Sequence, residues 1–284
     1  MRSPPAADSN ASDARLDRVL ITGAGGRVGE ALRAGLSGRV RVLRLLDRSF
    51  RDHGRDGEEL FEGDILDSDF LHRAVAGCDA VVHLAAVPDE AVPFSEIVQV
   101  NIGGTQAVLE AARVHGIRRV VMASTSRVTG FYPRNQRLDT AVPVRPDTLY
   151  AMSKVACEAL GRFYAERFGL QVACLRIGSC EPRPTNTRHL STWLSPRDAA
   201  AYVHRCLVAP DITYTVLYAV SNNRRVWWDD SEARRLGVER TDDAEQFADS
   251  VSPETSPWTD IQGLPAPDAM YDSATPDSVR SDSS

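Results

Sequence analysis

The sequence predicts an α/β fold, a doubly wound parallel sheet with a small carboxyl-side lobe, on three observations. An uninterrupted apolar run ends in a glycine-rich turn that opens a helix. Short apolar runs then alternate with helical stretches as far as residue 123. Beyond them, a turn rich in hydroxyl groups precedes a helix that carries Tyr150 and Lys154 one turn apart on one face.

Val19-Leu-Ile-Thr22 is the kind of run that forms a strand buried on both faces. Gly23-Ala-Gly-Gly-Arg-Val-Gly29 follows, and 30–36 has helical spacing. Strand, glycine turn and helix make a Rossmann-type dinucleotide site, because glycines let the backbone approach a pyrophosphate that sits on the amides of the helix start. Gly23, Gly26, Arg27, Val28 and Gly29 would form it, with a spacing that fits both G-x-x-G-x-x-G and G-x-G-x-x-x-G. A second strand at 40–46 ends in Asp47-Arg48, where such folds place the acid that accepts hydrogen bonds from the adenosine ribose. A carboxylate there favours NAD and repels the extra phosphate of NADP, although the Arg48 guanidinium could hold that phosphate. A short strand at 59–62 leads into Gly63-Asp64-Ile65, and Asp64 is placed either against the adenine amino group or as a turn acid. Residues 80–86 form another buried strand, 94–115 read as a long helix containing Asn101, and 118–123 are the fifth strand, ending in Ser124-Thr-Ser126. Ligands of such sheets lie beyond the carboxyl ends of the strands, so the glycine turn, Asp47, the stretch after His83 and Thr125 fall along one rim.

At that rim Tyr150 and Lys154 have a chemical use. A phenol is a weak base, and an ammonium one helical turn away favours its phenolate form, so the pair can take a proton from a hydroxyl. Read alone, the same spacing occurs on ordinary solvated helices.

Composition narrows the partner. The chain has 284 residues, 43% hydrophobic and 25% charged, with a net charge of -6. That balance gives no electrostatic case for nucleic acid or an acidic membrane, and a small soluble ligand fits better. The five cysteines are scattered without C-x-x-C spacing, which suits reduced thiols in a cytoplasmic protein and no metal site. No apolar run is long enough to span a bilayer and no signal peptide is visible, so cytoplasmic localisation is expected. Residues 1–17 and 263–284, rich in Pro, Ser, Ala and Asp, are expected to be disordered. Between them, 18–180 would form the dinucleotide-binding domain and 181–262 the small lobe, in which Trp227 and Trp228 serve packing more than sugar stacking.

The motifs together carry a resemblance. Gly23-x-x-Gly26-x-x-Gly29, Gly63-Asp64, His83-Leu-Ala-Ala86, Asn101, Thr125 and Tyr150-x-x-x-Lys154 resemble the extended short-chain dehydrogenase/reductase family over most of residues 18–180. The resemblance implies that Tyr150 is the catalytic acid/base, that Lys154 holds the nicotinamide ribose and acts on the tyrosine, that Thr125 steadies the substrate oxygen, and that Asn101 assists the proton relay. It also implies that Leu84, Ala85, Ala86 and Ile177 line the cofactor. A narrower match, carried by Phe131-Tyr-Pro133, 142–147, Leu175-Arg-Ile-Gly-Ser-Cys180 and Leu190-Ser-Thr-Trp-Leu-Ser195, looks like the uronate dehydrogenases. Those enzymes oxidise the anomeric carbon of galacturonate or glucuronate with NAD. By that likeness Ser179 bonds the sugar and Arg188 holds its carboxylate, which suits a forked guanidinium.

This chain also departs from the pattern. The hydroxyl residue after the fifth strand is followed there by Asn-His and here by Ser126-Arg127, and a serine after the fourth strand is replaced by Pro88. Both changes touch sugar contacts and can alter discrimination. Arg127 is either an exposed arginine or a second cation for a more highly charged sugar such as a hexose 6-phosphate. A nucleotide-sugar epimerase or dehydratase, which usually has a larger carboxyl-side domain, and a dinucleotide sensor without catalysis remain as other classes. The expected partner is a small sugar acid, with a homo-oligomer left open.

Overall fold

A run of Val, Leu and Ile without polar interruption suits a strand covered on both faces, and in β1 (Arg18–Thr22) the side chains of Val19, Leu20 and Ile21 are fully buried. The computed structural model, which describes residues 16–88 and 91–265, sets this strand inside a seven-stranded sheet. Along the chain follow α1 (Arg27–Leu36), β2 (Val42–Asp47), β3 (Glu58–Glu62), α2 (Ser68–Val75), β4 (Ala80–His83), α3 (Phe94–Ile97), a π-helical turn (Val98–Gly103), α4 (Gly104–Val114) and β5 (Arg119–Thr125). Then come a 3-10 turn (Ser126–Thr129), α5 (Leu149–Phe168), β6 (Gln171–Ile177), β7 (Ser179–Cys180), α6 (His189–Thr192) and β8 (Trp193–Leu194). The remaining elements are α7 (Pro196–Val208), β9 (Tyr214–Ala219), α8 (Ser231–Arg235) and a second 3-10 turn (Ala244–Ser250).

The strands lie in the order β3-β2-β1-β4-β5-β6-β9, and every pair is parallel. The order reverses between β1 and β4, so the connections from their carboxyl ends diverge and open a crevice. Side chains alternate to two cores. Leu32, Val82, Leu175, Tyr202 and Leu217 belong to the one that takes in α1 and α7, while Leu20, Val81, Val108, Tyr164 and Val172 belong to the one that takes in α2, α4 and α5.

The structure redraws the expected boundary at residue 180. β9 pairs along β6 from Val172↔Tyr214 to Ile177↔Ala219, and α7 lies against α1 so closely that a Cβ on Gly35 would stand 2.2 Å from the Ala200 Cβ. The apolar faces of α7 and β9 are part of the core on that side, so 196–219 belongs to the sheet. From residue 179 onward, 179–195 and 220–265 lie outside this αβ layer. The helix expected over 94–115 is also interrupted, because the π turn at Val98–Gly103 shifts its register and buries Asn101 completely. Of the ends expected to be disordered, 1–15 and 266–284 lie outside the described residues. Asp17 is paired with Arg41, and Gly263 and Leu264 are bonded to the body of the protein.

Candidate active site

The crevice is built mainly from backbone. Gly23 has φ 71°, and a Cβ there would lie 2.6 Å from the Ala85 amide nitrogen, so Leu84-Ala85-Ala86 can close on the turn only because residue 23 is glycine. A Cβ on Gly29 would lie 2.4 Å from the Ala24 carbonyl oxygen. α1 starts after Gly26 with no side chain capping it, which leaves first-turn amides for a phosphate. The Asp47 carboxylate accepts from the Gly25 amide at 2.9 Å and the Arg48 amide at 2.7 Å. These bonds fix a negative charge beside the turn, with lone pairs left for a ribose diol. The cradle therefore fits a dinucleotide.

The other residues expected at the cofactor differ in setting. The Arg48 side chain is exposed. Asp64 is exposed and accepts from the Leu66 amide at 2.9 Å, which is the behaviour of a turn acid, while Ile65 is buried against Gly104. Val28 packs on the core, and Arg27 is ion-paired with Glu181 across the mouth of the crevice. Beneath the rim His83 is fixed by Thr22 at 2.7 Å and Thr105 at 3.0 Å. Burial, with the Lys154 charge nearby, pulls the imidazole down to about 3, so it is neutral.

α5 begins after Thr148, whose hydroxyl accepts from the Ala151 amide at 3.1 Å. This cap holds the first turn that carries Tyr150. Lys154 is 2% exposed, with Nζ 5.7 Å from the centroid of the Tyr150 ring, and no carboxylate is within ion-pair distance of it among the described residues. Its ammonium therefore lies beside the Tyr150 ring without a carboxylate partner among the described residues. Thr125 ends β5 opposite Ile177 of β6, and its hydroxyl accepts from the Arg127 amide at 3.3 Å. Asn101, expected in the proton relay, has its side chain bonded to the rim and to α5. Its amide bonds both backbone groups of Val87, at 2.7 and 3.1 Å, and donates to Ser153 Oγ at 2.9 Å. Ser153 in turn donates to the Tyr150 carbonyl at 2.7 Å, so Asn101 positions the helix and no bond joins it to the Tyr150 or Lys154 side chain among the described residues.

The far side of the rim is built from side chains. β7 and β8 form a short parallel ladder with Ser179 opposite Trp193, which brings together the two sequence blocks around 175–180 and 190–195. Ser179 Oγ lies 2.9 Å from Thr192 Oγ1, and Arg188 Nη1 reaches both hydroxyls at 3.5 and 3.4 Å. Arg188 Nη2 donates to the Gln262 carbonyl at 2.7 Å, and its Cζ stands 5.5 Å from the Trp227 ring centroid. Arg188 is 6% exposed, its Nε has no acceptor, and no ion pair joins it to a carboxylate among the described residues. Burial, with Arg134 nearby, pulls it down to about 10. Trp228 stacks on Tyr218 and is 1% exposed, so it is core.

Ser126 is buried, and its carbonyl accepts from the Thr129 hydroxyl at 3.1 Å. Arg127, expected as either an exposed arginine or a second cation for the sugar, is half-buried and ion-paired within the protein. Its Nε pairs with the fully buried Asp147 carboxylate at 3.1 Å, and its Nη2 donates to the Leu264 carbonyl. Asp147 also accepts from the Leu264 amide at 2.6 Å. Sequence reasoning missed Asp147, Thr192 and Gln262, along with the buried Arg176–Glu158 pair that ties α5 to β6. The glutamine had no signal beyond its place just before the Pro- and Ser-rich tail.

A crevice at the β1/β4 reversal, an acid at the end of β2 and a Tyr–Lys pair on α5 define a nicotinamide-dinucleotide site equipped for proton transfer. A model of the NAD dependent epimerase/dehydratase family matches residues 19–213, and the chain belongs to that family, with NAD as its cofactor. Within it, the chain is 40% identical over 263 residues to a uronate dehydrogenase of Pseudomonas syringae pv. tomato, covering 92% of each chain. A mutant uronate dehydrogenase from Agrobacterium tumefaciens, solved in complex with NAD, superposes with a TM-score of 0.82 at 39% identity, covering 87% of this chain and 96% of that one. An NAD-dependent glucose-6-phosphate dehydrogenase of Haloferax volcanii is 33% identical, over 81% of this chain and 95% of its own length.

Proposed function

We propose that the protein is an NAD-dependent dehydrogenase that oxidises the anomeric hydroxyl of a hexuronate such as galacturonate or glucuronate to the lactone. The observation that carries this is Arg188, a buried guanidinium beside Ser179 with an Nε–H lacking an acceptor. A buried cation costs several kcal/mol unless an anion meets it, roughly by the desolvation of such groups, and a planar carboxylate fills the open edge. In this reading Ser179 and Thr192 bond the sugar, and Gly23, Gly26, Gly29 and Asp47 hold the dinucleotide. Thr125 orients the anomeric oxygen, and Tyr150, with Lys154 one helical turn away, accepts its proton. A bound nicotinamide supplies the hydride acceptor. The anomeric C–H and O–H bonds break, a C=O bond forms, and the proton ends on Tyr150.

The likeness to a glucose-6-phosphate dehydrogenase raises the second substrate considered above. Arg127 argues against it, since Asp147 already balances its charge. Formation of NADH with galacturonate, glucuronate and glucose 6-phosphate tests the proposal. Turnover of a uronate is expected, and turnover of glucose 6-phosphate alone would contradict it.

A further inference from the structure

The end of the described chain forms a strap across the substrate side. Arg134 holds it through Glu254 at 2.7 Å and the Ile261 carbonyl at 2.7 Å, the Gln262 amide donates to the Tyr132 carbonyl at 2.8 Å, and Gly263 donates to Gly130 at 2.8 Å. A Cβ on Gly263 would stand 2.1 Å from Asp147 Oδ2, so the strap follows this path only with glycine there.

Gln262 is 1% exposed, and its bonds are known at every polar atom but one. Its carbonyl accepts from Arg188 Nη2 at 2.7 Å, and its Nε2 donates to the Pro133 carbonyl at 3.1 Å and the Gln136 carbonyl at 2.7 Å. Two carbonyls facing one end of an amide require nitrogen there, so the oxygen must be the other end. That oxygen, Oε1, is buried and has no donor. Leaving a buried acceptor unmet costs about 1–3 kcal/mol, and here it sits on the residue that directly bonds the proposed carboxylate-binding arginine. Arg188 Nε is a donor without an acceptor and Gln262 Oε1 an acceptor without a donor, on two residues joined by the bond from Nη2 to the Gln262 carbonyl.

We propose that Gln262 is a specificity-determining residue of the substrate site, whose Oε1 accepts a hydrogen bond from one ring hydroxyl of the sugar acid while its main-chain carbonyl sets the Arg188 fork. The assignment rests on the uronate reading above and adds to it a second recognition element, supplied by the carboxyl-terminal strap.

The test compares galacturonate with its 2-, 3- and 4-deoxy and deoxyfluoro analogues in NADH formation. At one ring position both analogues lose about 10- to 100-fold in kcat/KM, because an acceptor such as Oε1 cannot bond hydrogen or fluorine, whereas a donor would tolerate fluorine. In Gln262→Met the penalty at that position disappears and the penalties elsewhere persist, which a merely structural defect would not produce. The wild-type series decides even where the variant does not fold: no position at which both analogues lose ten-fold overturns the assignment. So does a Gln262→Met enzyme that keeps every penalty. Failure of galacturonate and glucuronate themselves to yield NADH overturns the functional reading and this inference with it.

Discussion

The two sides of the rim recognise their ligands by different means. On the cofactor side the walls are main chain: Gly23 against Ala85, Gly29 against Ala24, and amides at the start of α1. On the proposed substrate side they are charged and polar side chains, half-buried Ser179 and buried Arg188, Thr192 and Gln262, beside a strap held by Arg134, Arg127 and Asp147. A pyrophosphate can be met by any backbone that comes close enough, so glycine spacing suffices for it. A sugar acid needs donors and acceptors at particular points, and these come from segments distant in sequence. In the proposed reading the first side holds what the dinucleotide family shares and the second selects the substrate.

The sharpest way to separate the sides is to remove the chemistry that lies between them. Tyr150→Phe is expected to lower kcat by about 10²- to 10⁴-fold, the usual contribution of a positioned acid/base, with NAD affinity unchanged. Steady-state rates and NAD titration check it, and a loss below ten-fold would place the base elsewhere.

A smaller effect concerns the footing of the cofactor side. His83 is held near 3 in the fold against 6.5 when free, so the unfolded chain binds the extra proton between those values. Its contribution to stability is complete above pH 6.5 and declines as the pH falls toward 3, by at most about 1.4 kcal/mol per pH unit. Urea unfolding from pH 7 to 4 should show this decline in the wild type and a shallower one in His83→Gln. Parallel curves would assign the acid sensitivity to other groups.

Most of the cofactor side was legible in the sequence, because its signals are local. Gly23 to Gly29 follow β1 directly, Asp47 ends β2, and Tyr150 and Lys154 share a helical face. What was not legible lies where tertiary context replaces local pattern. Residues 196–219 alternate like any αβ unit, and nothing in them says whether they join the main sheet or a lobe. Asn101 sits on a helical pattern that cannot disclose a π turn. Arg127 is indistinguishable from a surface arginine until Asp147, buried twenty positions later, is seen against it. Gln262 is separated from Arg188 by most of the substrate side, and only the folded strap joins them.

The most direct test of the account is the preference for galacturonate over galactose in wild type and in Arg188→Met, a change that keeps apolar bulk over Trp227 and removes the charge. The account predicts a wild-type preference of at least about 100-fold in kcat/KM, as for loss of a charge-assisted bond to a buried partner, falling to within a few-fold in the variant at unchanged NAD affinity. A variant that still prefers the uronate as strongly as the wild type would contradict it.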